Sequence, residues 1–566
     1  MSEWNTAVLE DDVLVIGGGT AAMRAALAAA QSGAKVRVVS KSKFMEGGSS
    51  ATGVSELLAI GAALGYTNKN DHPRHHFEDT LKAGSGFVSA ELTKILTDEA
   101  PDRINELIEW GVPFEKKDGA YLQRKSDYAR YPRVFSVKGG GTAREILRVL
   151  LQRVRDYGAS LEEDTMVFDL LEWDGAFAGA LGVRKGTGDV VFFRAKSVIL
   201  TTGAAHQLYR DSVSTADMTG DGYAIAYRLG LPLLNMEFVQ IGPGIIWPKT
   251  MVLSGPVYRM NPIFRDVQGR EFLQDYLPNG LTPGEVIGKK VFPYTSSNHS
   301  AYLDIAIYRK QREGPSTEHG GVYMDLRGKQ DISKKIPTTF EHLQKQSVDP
   351  MSEELEVGIV MQCMNGGILM ESGDASTRIS GIYVAGEVAG GVRGPDRPGG
   401  NALCECQVFG NRAGKAAAGY AASAARNCPA VSIESRVAER TGLLSPDSGM
   451  DLESARATIQ EIMWDCCLVI RREQGLLEGL QKLTALLDGI KQDKLYCKRA
   501  DLLEGLSVLN LLDVARIVMT AALERQESRG PHFRADYPHQ NDDVWKKCIC
   551  ITKGKNDMPE VVHIKL

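Results

Sequence analysis

The sequence has no C-x-x-C pair, no C-x-x-C-H, no basic leader ahead of an apolar core and no excess of positive charge. Its nine cysteines, at 363, 404, 406, 428, 466, 467, 497, 548 and 550, are odd in number and lack the spacing of a zinc, iron-sulfur or c-type haem site. They read as reduced thiols of a cytoplasmic chain. No uninterrupted apolar run reaches the roughly 18 residues of a membrane helix. The opening MSEWNTAVLEDDVLVIGGG does not resemble a signal peptide. Direct membrane insertion is therefore not expected, and membrane contact would come through a partner. A net charge of -5 argues against a general nucleic-acid binder. There is no internal repeat and no low-complexity tract.

What the chain does have is glycine, 59 residues of it, much of it clustered where backbone must pass close to something. Its 566 residues allow two to four domains. A buried strand, VLVI, runs into Gly17-Gly18-Gly19, then into a small-residue helix and a second strand, KVRVVSKS, at the interval of a βαβ unit. Antiparallel strands are expected from Phe168 to Ser197. The stretch 241–351 is rich in proline, aromatics and turns and reads as an insertion. GIYVAGEVAG then returns the chain to the first domain, and a long small-faced helix begins at Asn401. Amphipathic patterns over Ala455–Asp488 and Asp501–Arg529 predict a helical bundle. The last thirty or so residues are polar and aromatic and are expected to be strand-poor. The predicted domains are 1–240 and 352–435 for the first, 241–351 for the insertion, 450–530 for the bundle and 531–566 for the tail.

The turn Gly17-Gly18-Gly19-Thr20-Ala21-Ala22 lies between strand and helix, where a dinucleotide fingerprint belongs. Gly17 permits the turn, Gly19 admits a pyrophosphate, and the helix N-terminus supplies free N–H groups. Two more apolar strands end in glycine turns, at Thr201-Thr202-Gly203 and at Ala385-Gly386-Glu387. Three strand ends converging on one ligand suit FAD, whose two halves need separate supports.

These stretches, with NDHPRHHFEDTLKAGSG, MTGDGYAIAYRLGLPLLNMEFVQ, GVRGPDRPGGNALCECQVFG and LERQESRGPHFRADYP, resemble the flavoprotein subunits of fumarate reductase, succinate dehydrogenase and L-aspartate oxidase over nearly the whole chain. The resemblance implies an α/β fold: a Rossmann-like FAD-binding domain with an inserted α+β capping domain and a C-terminal helical bundle. By matching position it implies FAD contacts at Gly17, Gly19, Thr20, Ala21, Ser40, Lys41, Gly47, Gly48, Ser49, Ala51, Gly53, Thr202, Gly203, Asp221, Glu387, Asn401, Ala402 and Leu403. Glu387 would bond the ribitol chain. The helix start at Asn401 would face the flavin carbonyl next to N1, where its dipole favours negative charge. Membrane-bound relatives carry a flavin-linking His where this chain has Gly47, so FAD is expected to be noncovalent.

The departures concern the substrate. The family's His after MEFVQ is replaced by Ile241-Gly242-Pro243-Gly244, and a second His, before Gly366-Gly367-Ile368, by Met361-Gln362-Cys363-Met364-Asn365. Arg397 matches a carboxylate-binding Arg, and Arg393 stands where the motif is preceded by His. The proton-delivering Arg is expected at Tyr258 or Arg259, and His299 is a further candidate acid. His72, His75 and His76 are not expected to hold a metal, and QESRGPHFR, residues 526–534, is expected to stabilise the fold.

The leading expectation is an FAD-dependent reductase or dehydrogenase acting on a small anionic substrate. Electrons would be exchanged with an iron-sulfur subunit, since this chain has no cluster motif. The alternatives are an enzyme of the adenylylsulfate reductase or aspartate oxidase kind with another substrate, and a non-catalytic electron-transfer flavin subunit.

Overall fold

The computed structural model describes residues 6–56, 58–291, 293–426, 432–555 and 558–566. Cys428 lies outside them; the other eight cysteines are free thiols.

The apolar VLVI run forms the middle strand, Val13–Ile16, of a five-stranded parallel sheet. Its neighbours in order are Ile382–Val384, Ser197–Leu200, Val13–Ile16, Val36–Val39 and Ser160–Glu162. All four residues of the central strand are buried, as a parallel strand covered on both faces requires. One covering layer pairs the helices Thr20–Gln31 and Asn401–Ser423. Their backbones meet across glycine: a Cβ on Gly414 would fall 2.2 Å from the Ala25 carbonyl oxygen, and one on Gly410 3.0 Å from that of Ala21. The small-residue face predicted for the long helix is thus a contact surface.

The expected antiparallel strands are Thr165–Trp173, Ala176–Arg184 and Val190–Arg194, and Ala7–Glu10 adds to them in parallel. The insertion is built on a sheet ordered Met251–Val252, Val239–Ile245, Leu355–Met364, Val322–Asp325 and Ile263–Arg265. One of its two long strands begins just before 241 and the other, Leu355–Met364, lies beyond 351; they pair from Val239 with Met364 to Ile245 with Val357, with a register shift between Gln240 and Ile241.

The bundle contains Leu452–Cys467, Glu473–Asp493 and Leu502–Glu524, so the periodic stretch 455–488 is two helices rather than one. The chain breaks at Leu468–Arg472, where Arg471 bridges to Arg534. The third helix is long and apolar enough to cross a membrane by composition, but most of it is buried within the protein. The tail differs from expectation. Cys548–Lys553 and Pro559–Ile564 are strands, joined to Leu233–Leu234 in a second five-stranded sheet. Short polar-flanked runs such as CICITK become strands here through partners about 300 residues distant, a pairing that local pattern does not encode.

The motif at 526–534 is buried as an ionic network. Arg525 donates through Nε to Glu237 Oε1 at 2.6 Å, and Arg529 through Nε to Glu527 Oε1 at 2.6 Å. Arg534 donates to the carbonyls of Ala522, Leu523 and Arg525. His532 accepts at Nδ1 from Arg471 at 2.7 Å, and burial together with Arg471 and Arg525 holds its pKa well below the ordinary value. Breaking such a network strands charge in the core. Arg525→Met is expected to destabilise the protein by about 3–5 kcal/mol in chemical denaturation. A loss under about 1 kcal/mol, the range of an exposed pair, would contradict the structural role assigned to this motif.

Candidate functional site

A cavity of about 530 Å³ lies at the carboxyl ends of the parallel strands, between the first domain and the insertion. At Gly17 the chain takes φ +136°, and a Cβ there would sit 2.3 Å from the Thr201 carbonyl oxygen. Only glycine fits. Gly19 precedes the helix Thr20–Gln31 without any side-chain cap, which leaves the first-turn N–H groups to the cavity. Thr20 N–H meets only Ser50 Oγ, at 3.3 Å. Gly17, Gly19, Thr20 and Ala21 all line the cavity.

Ser40 and Lys41 follow at the end of the next strand and also line it. Lys41 Nζ donates to Asp221 Oδ2 at 2.9 Å, to Ser507 Oγ at 2.8 Å and to Thr219 Oγ1. Asp221 Oδ1 accepts from Thr219 at 2.9 Å and from Asn510 Nδ2 at 2.8 Å. The pair is therefore saturated, and it ties this wall to the helix Leu502–Glu524. Ser507 and Asn510 carry no motif, so nothing in the sequence marks them.

The segment Gly47–Gly53 forms the next wall. Gly48 N–H donates to Thr215 Oγ1 at 2.7 Å, and Ser49 Oγ lies 3.0 Å from Ser214 Oγ. A Cβ on Gly47 would fall 2.4 Å from Asp217 Oδ2 and 2.7 Å from Ser42 Cβ. Ala51 is buried off the cavity, its carbonyl accepting from Arg144 at 2.9 Å. Opposite, Thr202 lines the cavity with a buried hydroxyl that has no partner among the described residues, and Gly203 turns with φ +71°.

Glu387 Oε1 accepts from Met364 N–H at 3.1 Å, with His206 Nε2 at 3.6 Å behind it. Burial pushes this carboxyl's pKa upward, but His206, Arg393 and the backbone bond outweigh it and hold the pKa below the ordinary value. The helix Asn401–Ser423 begins after Gly400, at φ +92°, and presents Ala402 and Leu403 to the cavity. The Asn401 side chain instead anchors this helix start, accepting from His76 Nε2 at 2.7 Å and donating to Thr80 at 3.0 Å. Burial lowers His76 to about 4, which keeps it neutral. No group of three metal-capable side chains occurs among the described residues.

Beyond this cradle the wall changes. Arg397 is half-buried, its Nη2 lies 3.3 Å from Cys363 Sγ, and its buried Nε has no partner among the described residues. Cys363 donates to Gln240 Oε1 at 2.9 Å. Gln362 Oε1 and Ser254 Oγ, both buried in residues that line the cavity, are likewise unpartnered there. Met251 and Val252 add apolar surface, and Lys249, His342 and Asp127 complete the wall.

The family described as FAD binding domain matches residues 12–403, and that described as fumarate reductase flavoprotein C-term matches 456–565. This chain belongs to the fumarate reductase, succinate dehydrogenase and L-aspartate oxidase flavoprotein family. A component of the fumarate reductase (CoM/CoB) of Methanothermobacter marburgensis is 32% identical over 554 residues, covering 96% of this chain and 97% of that one. The L-aspartate oxidase of Streptomyces coelicolor is 30% identical, covering 95% and 91%. The solved structure of Mycobacterium smegmatis Sdh1 in complex with UQ1 superposes with a TM-score of 0.85 at 28% identity, covering 99% and 95%. The flavoprotein is an FAD-dependent oxidoreductase. Its cavity fits the cofactor: a glycine-only turn, an uncapped helix start and an unsatisfied Thr202 hydroxyl face one space.

Other substrate-side residues of the flavoprotein fall outside the cavity or are already engaged. Tyr258 is fully buried and donates to the Pro243 carbonyl at 3.2 Å, with burial raising its pKa well above the ordinary value. Neither it, nor exposed Arg259, nor exposed His299 lines the cavity. Arg393 does line it, but its donors are used: Nη1 to Met364 O at 2.5 Å, Nη2 to the Glu387 and Ala389 carbonyls, and an ion pair to Glu405 at 3.1 Å. It braces the Glu387 turn, with both Nη groups committed to backbone carbonyls.

Proposed function

We propose that this chain moves a hydride between FAD and the carbon–carbon bond beside a carboxylate, reducing 2-enoate acids with electrons from an iron-sulfur partner. Arg397 carries the reading. A buried guanidinium N–H without an acceptor is costly, and a substrate carboxylate supplies a bidentate, charge-assisted one. The stretches 241–244 and 361–365, where the family has histidines, hold none, and Gln240, Ser254, Met251 and Gln362 line the cavity, with the charged or titratable Lys249, His342 and Asp127 completing this wall. This favours an acid with one carboxylate and an uncharged remainder over a dicarboxylate.

Gly17, Gly19, Thr20 and Ala21 would hold the pyrophosphate side of the cofactor, Ser40 and Lys41 the next wall, Gly47 to Gly53 with Thr202 and Gly203 the middle, and Ala402 and Leu403 the flavin end. When bound, FAD supplies two-electron hydride chemistry and a one-electron link to a partner. Glu387, held anionic, would accept hydrogen bonds from the ribitol hydroxyls. Arg397 orients the carboxylate, and Met251 and Val252 exclude water beside it.

The test is anaerobic reduction of the flavin followed by challenge with crotonate and with fumarate. Reoxidation is expected with both and is expected to favour crotonate; inertness to every enoate removes the reading. An inert flavin that an iron-sulfur protein still reduces would point to electron transfer alone. Gly47 offers no nucleophile where membrane-bound relatives carry the flavin-linking His, which supports noncovalent binding. Acid precipitation is expected to release all the flavin into the supernatant, and yellow colour retained in the pellet would contradict noncovalent binding.

A further inference from the structure

The charged groups of the cavity are mostly spoken for. Lys41 is paired with Asp221, Arg393 with Glu405, and Glu387 has His206 behind it. The carboxylate of Asp127 is different, since it lines the same cavity and no hydrogen bond or ion pair from the described residues engages it.

Its seat is well defined. The Asp127 carbonyl accepts from Gly399 N–H at 3.4 Å, and Ser126 Oγ donates to the Gly399 carbonyl at 3.1 Å. The loop is therefore clipped to the chain two residues beyond Arg397. The next residue, Tyr128, holds φ +63°, a left-handed conformation that bulky side chains avoid. Its phenol bonds Asp396, which also accepts from Thr295 at 3.1 Å. A strained backbone fixed on both sides aims one unpartnered acid at a cavity that has an unpartnered arginine.

We propose that Asp127 is the catalytic acid, giving its proton to the α carbon of an enoate seated on Arg397; this rests on the reading of the site as an enoate reductase. The C=C π bond breaks and two C–H bonds form. The hydride at the β carbon would come from FAD that has taken two electrons from the iron-sulfur donor and one proton from water, and the proton at the α carbon comes from the Asp127 O–H, whose electron pair stays on the carboxylate. The charges of exposed Arg259 and of buried Lys290, which is paired with Asp304, favour the carboxylate form. Water restores the proton.

Of the other acids of the wall, Glu405 is pushed up to about 7 by burial but is held in its ion pair with Arg393 at 3.1 Å. The Cys363 thiol is engaged by Gln240, and burial raises its pKa. Lys249 is exposed. His342 is half-buried and held below its ordinary value by burial, Lys249 and Lys345, so it is largely unprotonated at neutral pH. Burial moves the Asp127 carboxyl the opposite way, above the ordinary carboxylate value, against the pull of Arg259 and Lys290.

Asp127→Asn and Asp127→Glu are compared with the wild-type holoprotein. In the Asn variant, reoxidation by crotonate is expected to slow at least about 100-fold, the scale of a lost general acid, with flavin content and dithionite reduction unchanged. The Glu variant is expected to recover part of the rate. Binding of butyrate, followed by the flavin spectrum, is expected to weaken in the wild type as pH rises and the acid becomes an anion; this dependence is expected to be lost in the Asn variant. A wild-type rate in the Asn variant, or the same pH dependence of butyrate binding, overturns this proposal alone. A wild-type protein that no enoate reoxidises overturns the reading beneath it, and this proposal with it.

Discussion

Arg397→Gln is expected to lower kcat/KM for enoate reduction by about 10²–10⁴-fold, because two charge-assisted hydrogen bonds at about 1.5–3 kcal/mol each are lost and a decade of rate is about 1.4 kcal/mol. The loss should appear in KM and kcat together, since the guanidinium both holds the acid and orients it. Arg397→Lys should recover only part of it, because an ammonium cannot reproduce the planar fork. Flavin content should be unaffected, as Arg397 is not among the residues that would hold the cofactor. A variant that turns over normally would mean that another group binds the carboxylate, and Lys249 and His342 would be the first to examine.

Gly19→Val is expected to raise the Kd for FAD at least about 100-fold while leaving the protein folded. Gly19 has an ordinary backbone conformation, and a Cβ there meets only Ser50, its Oγ at 3.1 Å. The added bulk lies beside the uncapped N–H groups. Loss of two hydrogen bonds to a phosphate, again about 1.5–3 kcal/mol each, sets the scale. Gly17→Ala should do more damage for another reason, since its φ of +136° and the 2.3 Å approach to Thr201 forbid a side chain in the turn itself. Comparing flavin content and thermal unfolding of the two variants separates blocked binding from a broken turn. Full flavin occupancy in Gly19→Val would place the pyrophosphate elsewhere.

The cofactor half of the molecule was legible because its signals are local. An apolar strand ending in Gly17, another ending at Thr202, and a helix opening after Gly400 each announce themselves within a few residues. Three-dimensional structure was needed where partners are remote. Lys41 and Asp221 are saturated by Ser507 and Asn510, nearly 300 residues beyond Asp221. The tail strands owe their existence to Leu233–Leu234. Arg393 stands in the same motif as Arg397, yet its Nη groups go to backbone carbonyls that only the folded turn brings together.

The acid was the least legible feature. Counting along the insertion put Tyr258 or Arg259 at the chemistry, but side-chain direction there depends on how the inserted sheet sits, and neither lines the cavity. Asp127 occurs in the unremarkable stretch RKSDYAR. Its placement depends on the clip to Gly399 and the left-handed turn at Tyr128, neither of which has a sequence signature.

The most direct measurement is rapid mixing of the anaerobically reduced holoprotein with crotonate, recording the return of oxidised-flavin absorbance in the wild type and in Arg397→Gln. Saturable reoxidation in the wild type, slowed about 10²–10⁴-fold in the variant, is the expected result. Reoxidation that is absent in both, or equal in both, would contradict a hydride site organised around Arg397.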